Sequence, residues 1–217
     1  MSTTAISAGT LSGRDLVLAL VDVIETNKAY LSEVDGAIGD GDHGVNMAKG
    51  FQLIKKRLGD DQVSVSEGFA LIGKTLLTDI GGSMGPLYGT FFIQMSIAVR
   101  DKDPLDPKVF GEMLAAGIEG VADIGEAQVG DKTLMDALVP SLEAYRTALA
   151  GGASFPSALG ELALGADRGR DSTKDLVAKL GRAARLGERS RGILDAGATS
   201  CALILTTISR TFSAAAH

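Results

Sequence analysis

Apolar residues recur every three or four positions along most of this 217-residue chain, as at Leu16, Leu20 and Ile24. This is the spacing of one face of an amphipathic α-helix, whereas the alternation typical of strands is scarce. Ser64 followed by Glu67 also matches a helix capping box. The pattern predicts eight helices, at residues 14–28, 46–58, 66–79, 86–100, 107–123, 133–149, 156–174 and 198–212.

Short connections between these segments favour antiparallel neighbours, so the expected fold is all-α, an eight-helix up-and-down bundle or barrel. The length favours a single domain, residues 1–217. In such a bundle every second connection lies at the same end, so alternate connections can converge on one ligand. Four alternate connections are rich in glycine and polar residues, at residues 35–46, 81–85, 125–133 and 181–197.

Charge and cysteine content narrow the class of protein. A net charge of -6 argues against a general nucleic-acid-binding protein, which needs a basic surface. Cys201 is the single cysteine and lies in an apolar run, so disulfides and cysteine zinc sites are excluded and a reducing cytoplasm is expected. The N-terminus lacks a signal-peptide pattern, and the apolar stretch 196–208 is too short for a bilayer, which takes about 20 residues.

Three carboxylates crowd into the glycine-rich segment before the second predicted helix, those of Asp35, Asp40 and Asp42. Like charges at this spacing are unfavourable without a cation, and Mg²⁺ is commonly held by a few carboxylates plus substrate phosphates. Two such ions fit three aspartates. The alternative is an acidic turn in which Asp42 caps the helix. The adjoining His43 either hydrogen-bonds a phosphate or a carboxylate, or has a structural role.

The segment Gly68–Thr75 formally matches a P-loop, with two glycines around four residues and then Lys-Thr. A P-loop needs a preceding strand and a loop whose backbone NH groups surround phosphates. Here the four intervening residues are apolar and continue at helical spacing to Leu76 and Leu77. The chain also lacks the buried strands of a parallel-sheet ATPase, so we reject a P-loop NTPase.

Three further glycine-rich connections have properties that suit an anionic ligand. Backbone NH groups of Gly81–Gly85 and Gly130–Thr133 can receive phosphates at helix starts, although the glycines can equally end a helix and Asp131 or Thr133 can cap one. The last connection predicts a mobile lid at about residues 175–195 that neutralises charge; a solvated loop or a docking surface for an acidic partner is the alternative. Its basic residues are Lys179, Arg182, Arg185, Arg189 and Arg191.

Taken together and in this order, the segments resemble the nucleotide-binding L subunit of dihydroxyacetone (glycerone) kinases. The resemblance covers nearly the whole chain, and its most specific part is the aspartate segment. It is carried by Gly39-Asp-Gly-Asp-His-Gly-Val-Asn-Met47, Gly81-Gly-Ser-Met-Gly-Pro-Leu87, Gly130-Asp-Lys-Thr133, Gly187-Glu-Arg-Ser190 and Asp195-Ala-Gly-Ala-Thr-Ser200.

This resemblance implies an eight-helix antiparallel barrel with a nucleotide, ATP or ADP, at one end. It implies that Asp35, Asp40 and Asp42 bind two Mg²⁺ ions that bridge the phosphates, and that these aspartates and Arg189 of the lid are the catalytic residues. The residues implied to contact the nucleotide are His43, Gly44, Val45, Asn46, Ser83, Met84, Gly125, Leu134, Arg189, Asp195, Ala196 and Gly197.

The resemblance also implies a phosphotransferase that needs a partner, because the family's ketone substrate is held on a histidine of a separate K subunit, and nothing in this chain resembles that part. Two phosphoryl donors stay open, exchangeable ATP or a bound ADP rephosphorylated by a phosphotransferase-system phosphocarrier. The acceptor is dihydroxyacetone or another small ketose such as erythrulose. A homodimer also stays open, as does a nucleotide-sensing subunit without transfer activity.

Overall fold

The computed structural model describes residues 11–102 and 105–216, and within them the regular elements are all helices, with no strand. Short 3-10 segments, Thr173–Asp175 and Ala183–Ser190, lie between the last two helices. The α-helices are α1 (Gly13–Thr26), α2 (Lys28–Ile38), α3 (His43–Leu58), α4 (Val65–Asp79), α5 (Met84–Val99), α6 (Pro107–Ile124), α7 (Met135–Ala150), α8 (Phe155–Ser172) and α9 (Ala196–Ala215).

The prediction of an all-α fold is confirmed, and each of the eight predicted helices is present. Local chemistry explains several of the boundaries. Ser64 and Glu67 form the predicted capping box at the start of α4, and the Asp106 side chain accepts a hydrogen bond from the backbone NH of Val109 at the start of α6. The domain boundaries 1–217 stay a prediction.

Helix α2 was not predicted. Leu31, Val34 and Ile38 form its buried face, and α2 packs against α3 while making little contact with α1. Consecutive helices α1 and α2 therefore do not fold back on each other, and the connection from α2 to α3 stays at the end of the bundle expected for it. Gly44 lies where α3 crosses α2, because a Cβ there would lie 2.1 Å from the carbonyl oxygen of Lys28.

The helices pack mainly against their neighbours in the chain, and α1 closes the arrangement by packing against α3, α4 and α9. One continuous apolar core runs through the bundle and includes buried phenylalanines from six helices, Phe51, Phe69, Phe92 and Phe110 among them. Such a core fixes the helix ends, and so it fixes the connections that carry the polar residues. None of the described helices has the length and apolarity that a membrane crossing requires.

Candidate functional site

The three predicted metal-binding aspartates lie together at one end of the bundle. Asp40 and Asp42 are in the turn between α2 and α3, whereas Asp35 is in the last turns of α2, not in the glycine-rich loop where the sequence pattern placed it. One carboxylate oxygen from each of the three lies within 4.8 Å of the other two. Mg²⁺–oxygen distances of about 2.1 Å put opposite ligands about 4.2 Å apart, so this donor set fits a divalent cation after small movements.

Two glycines make this arrangement possible. Gly41 has a φ of 77°, in the left-handed region that glycine adopts without strain. A Cβ on Gly39 would lie 2.4 Å from a carboxylate oxygen of Asp35, so only glycine leaves room for that side chain. The turn therefore brings the carboxylates together at the cost of excluding larger residues.

The alternative in which Asp42 caps α3 through its side chain is wrong. Asp42 occupies the N-cap position, but its side chain makes no capping hydrogen bond. Asp35 instead accepts a hydrogen bond of 3.2 Å from the backbone NH of His43. The Asp42 carboxylate is therefore not occupied by a capping hydrogen bond to α3.

A basic residue of the lid lies against these carboxylates. The guanidinium of Arg182 forms an ion pair with Asp40 and lies 4.0 Å from a carboxylate oxygen of Asp42. Here the guanidinium takes the place of a cation, balancing part of the negative charge. Sequence reasoning selected Arg189 for the role next to the phosphate, and Arg182 was missed as a partner of the aspartates.

The ring of His43 is held from the side of the bundle interior. Its Nε2 lies 2.8 Å from the hydroxyl of Ser200 on α9, and that hydroxyl lies 2.6 Å from the phenol oxygen of Tyr88 on α5. Burial lowers the pKa of His43 to about 4, although the charge of Asp35 opposes this shift. The imidazole is therefore neutral at neutral pH.

The connection between α6 and α7 is organised by two buried charged residues that the sequence analysis did not select. Asp136 accepts hydrogen bonds from the backbone NH groups of Gly130 and Thr133, at 2.6 and 2.7 Å. The N-cap residue of α7 is Leu134, and not Asp131 or Thr133. The Thr133 hydroxyl does accept a 3.2 Å hydrogen bond from the backbone NH of Met135, whereas the Asp131 carboxylate accepts one from Gln128. Lys132, 1% exposed and with a φ of 63°, directs its ammonium group into the lid.

The lid, residues 175–195, is held at both ends by Lys132. Its ammonium donates to the carbonyl oxygens of Thr173 and Leu176 at one end and of Ile193 at the other. Burial lowers the pKa of this lysine, while the negative charge of Asp195 opposes the shift. Lys179 of the lid adds an exposed contact to this connection, 2.8 Å from a carboxylate oxygen of Asp131.

At the start of α9 the carboxylate of Asp195 accepts a 2.7 Å hydrogen bond from the backbone NH of Ala198. Burial raises the pKa of Asp195 to about 7, and the nearby charge of Asp136 adds to this shift, whereas the Ala198 hydrogen bond and Lys132 oppose it. Gly197 leaves space here, because a Cβ would lie 3.0 Å from that carboxylate.

The remaining residues predicted to contact a nucleotide lie on the same connections, and their contacts with it stay predictions. Val45 is 48% exposed in the first turn of α3, and Leu134 approaches the start of α9 through its backbone nitrogen, 3.5 Å from a Cβ position on Gly197. The others are Gly44 and Asn46 on α3, exposed Ser83 with Met84 at the start of α5, Gly125 after α6, exposed Arg189 in the lid, and Ala196 at the start of α9.

The rejected P-loop match lies wholly inside α4, so its glycines form no phosphate-binding loop. Three of the polar connections are joined by the contacts of Arg182 with Asp40 and of Lys132 with Ile193. Tyr88, near the start of α5, brings the end of the bundle that carries the fourth connection to Gly197. Fold and site thus define a class: an all-α bundle with a candidate divalent-cation site at one end.

Comparison with known proteins makes the assignment more specific. The model of the DAK2 domain family matches residues 37–210, and the chain belongs to this family. It is 39% identical over 189 residues to the PEP-dependent dihydroxyacetone kinase 1, ADP-binding subunit DhaL, of Listeria innocua, covering 87% of this chain and 89% of the relative. It is 40% identical over 186 residues to the PTS-dependent dihydroxyacetone kinase, ADP-binding subunit DhaL, of Lactococcus lactis, covering 85% and 88%.

Among solved structures, the chain is similar to the dihydroxyacetone kinase of C. freundii in complex with AMP-PNP and Mg²⁺. The TM-score is 0.68 at 25% identity, over 90% of this chain. This chain corresponds to 33% of the length of that kinase chain. The likeness thus covers one part of a larger protein.

Proposed function

We propose that this chain is the nucleotide-binding, phosphoryl-transferring subunit of a dihydroxyacetone kinase. The observation that carries the proposal is the cluster of Asp35, Asp40 and Asp42 at the end of the bundle where the four polar connections meet. The names of the relatives support it, because they are ADP-binding subunits of dihydroxyacetone kinases.

In this proposal the three aspartates hold Mg²⁺, two ions as implied by the resemblance, and these ions neutralise charge on the nucleotide phosphates. The starts of α3 and α5 provide backbone NH groups for phosphate oxygens. His43 lies at the first of these helix starts and Ser83 next to the second. Arg189 and the other arginines of the lid add positive charge and, with the lid closed, exclude water.

The acceptor hydroxyl is contributed by a partner, a K subunit that holds dihydroxyacetone or a similar small ketose. No general base is needed in this chain, because the metal ions and the alignment of donor and acceptor supply the rate enhancement. Between the two donors left open by the sequence, we favour a bound ADP that a phosphotransferase-system phosphocarrier rephosphorylates. The PEP-dependent and PTS-dependent names of the relatives favour this choice.

The test reconstitutes the reaction from the purified chain, a cognate K subunit and dihydroxyacetone. Phosphoenolpyruvate with the phosphotransferase-system proteins is the donor in one arm, and Mg-ATP in the other. Formation of dihydroxyacetone phosphate, measured by a coupled assay, is expected in the first arm and should disappear in Asp40→Ala and Asp42→Ala.

Asp60→Ala is the matched control, because this exposed aspartate follows the other end of α3, a helix of 16 residues and thus about 24 Å long. The ion pair that Asp60 forms with Arg14, at 3.8 Å, is exposed and therefore weak. Ketose phosphate formation only in the Mg-ATP arm would assign the other donor. Mg-dependent ADP binding without product in either arm would favour a nucleotide-sensing subunit.

A further inference from the structure

Four polar side chains form a continuous line from the bundle interior to the aspartate loop. The thiol of Cys201 lies 3.6 Å from the phenol oxygen of Tyr88, which lies 2.6 Å from the hydroxyl of Ser200. That hydroxyl lies 2.8 Å from Nε2 of His43. None of Cys201, Tyr88 and Ser200 belongs to the predicted site, and all three are buried.

The short Tyr88–Ser200 contact requires a hydrogen between the two oxygens. Backbone carbonyls are also within reach, since Tyr88 lies 3.0 Å from the oxygen of Gly197 and Ser200 lies 3.1 Å from that of Ala196. If both hydroxyls donated to carbonyls, two lone pairs would face each other at 2.6 Å, which is repulsive. One hydroxyl must therefore donate to the other.

The direction of this bond determines where the imidazole proton lies. If Tyr88 donates to Ser200, the serine hydrogen is free for Nε2 of His43, a shorter contact than either carbonyl offers it. If Ser200 donates to Tyr88, Nε2 itself must carry the hydrogen. A phenol is a stronger acid than an aliphatic alcohol and thus the better donor, so the first direction is favoured. Hydrogen bonds aligned in one direction also strengthen one another.

The other ring nitrogen is available to a ligand. Among the described residues, His43 makes its side-chain hydrogen bond through Nε2, and the one fully buried side-chain polar atom without a partner is Ser32 Oγ. Nδ1 is therefore not fully buried. It is also the ring nitrogen nearer to the backbone, and the backbone NH of His43 donates to Asp35 of the metal cluster.

We propose that Tyr88 and Ser200 are positioning residues that fix the His43 proton on Nδ1, so that the ring presents a hydrogen-bond donor to a phosphate at the aspartate loop. The identity of this ligand rests on the proposed function, whereas the position of the proton does not. If the hydrogen bonds ran in the opposite direction, Nδ1 would carry a lone pair facing the phosphate oxygen, and the contact would be repulsive.

Two-bond ¹H–¹⁵N correlation spectra of nucleotide-free protein report which imidazole nitrogen is protonated. The chain has two histidines, so His217→Gln leaves His43 as the single signal. We expect a protonated Nδ1 and an unprotonated Nε2 at pH 7. A protonated Nε2, or protons on both nitrogens, would overturn the proposal.

Ser200→Ala should replace the single state with a mixture of tautomers, and Tyr88→Phe should do so to a smaller extent. Two matched controls, Ser209→Ala and Tyr145→Phe, remove buried hydroxyls elsewhere. The Ser209 hydroxyl, also on α9, donates to the carbonyl of Leu159, and the Tyr145 hydroxyl donates to the carbonyl of Pro107. Both controls should leave the His43 spectrum unchanged. An unchanged spectrum in Ser200→Ala would also refute the assignment, whatever the effect on stability.

The functional arm measures Mg-ADP affinity by calorimetry in the same variants. Ser200→Ala is expected to bind more weakly than Ser209→Ala in proportion to the lost fraction of the Nδ1-protonated tautomer, which is about twofold for an equal mixture. Equal affinities together with a changed tautomer would refute the contact between His43 and the phosphate, but not the assigned position of the proton. If the unmodified chain binds no Mg-ADP, the proposed function fails while the spectra still decide the position of the proton.

Discussion

Arg182→Ala is expected to tighten binding of a divalent cation to the nucleotide-free chain. In the structure the guanidinium of Arg182 pairs with Asp40 and lies close to Asp42, so an incoming cation has to displace it. Removal of the guanidinium leaves the carboxylates without that competitor. The metal site should therefore gain affinity when this positive side chain is lost.

The exposure of the three side chains determines how large the gain in cation affinity should be. That of Arg182 is 60% exposed, and those of Asp40 and Asp42 are 49% and 50% exposed. Ion pairs this exposed contribute about 0.2–1 kcal/mol. Because one guanidinium contacts two carboxylates, we take the upper half of this range, about 0.6–1 kcal/mol, which corresponds to a roughly three- to fivefold gain in affinity. Screening should reduce the gain at about 1 M salt, where the Debye length is only about 3 Å.

Electron paramagnetic resonance of free Mn²⁺, an ion that accepts the same oxygen ligands as Mg²⁺, measures this affinity directly. Arg185→Ala is the matched control, because it removes one positive charge three residues away, in the 3-10 segment that begins directly after Arg182, and Arg185 has no ion pair among the described residues. The difference between the two variants isolates the contact from the net charge. Binding by Arg182→Ala that is no tighter than by Arg185→Ala would refute the reasoning.

Three further predictions concern the residues around the site. Lys132→Met leaves three carbonyls in or next to the lid, those of Thr173, Leu176 and Ile193, without their donor, so trypsin should cut the lid faster at unchanged far-UV circular dichroism; equal rates would contradict this. Asp195 has a folded-state pKa raised to about 7, so the protonated form favours folding and stability falls as pH rises from about 4 to 7. The melting temperature of Asp195→Asn relative to the unmodified chain should therefore rise over that range, and a constant difference would exclude the shift. Gly39→Ala should abolish Mn²⁺ binding by displacing the Asp35 carboxylate, whereas Gly160→Ala, with open space at its Cβ, should retain it and stabilise α8 by about 0.5–1 kcal/mol.

Most of the fold followed from the sequence because helical periodicity and capping are local signals. Helix α2 was not predicted, because it is only 11 residues long and its apolar face has three buried residues. Glycines also lie in the helix and directly after it. With that helix missing, Asp35 was assigned to a loop, although its grouping with Asp40 and Asp42 was still correct. A cluster of like charges in the sequence is also a local signal, so it can be recognised even where the secondary structure is predicted wrongly.

The contacts that organise the site could not be predicted in the same way, because they join residues distant in the chain. His43 and Ser200 are 157 positions apart, and Lys132 bonds Ile193 across 61 positions. The lid has no hydrophobic period, so nothing in its sequence separates Arg182 from Arg189. Which arginine meets the aspartates depends on the backbone path of the lid, and the break at Gly187, where φ is 54° and ψ is -130°, lies between them.

The two sets of lid contacts differ in strength, and this difference determines where the lid can open. Lys132 is fully buried and holds both ends of the lid through three carbonyls, so separating the ends exposes a charge and three acceptors together. The contacts of Arg182 near the middle are exposed and weak. We therefore expect a divalent cation that displaces Arg182 from Asp40 to loosen the middle of the predicted lid, while Lys132 keeps the two ends in place. On this prediction one side chain, that of Arg182, couples metal entry to lid movement.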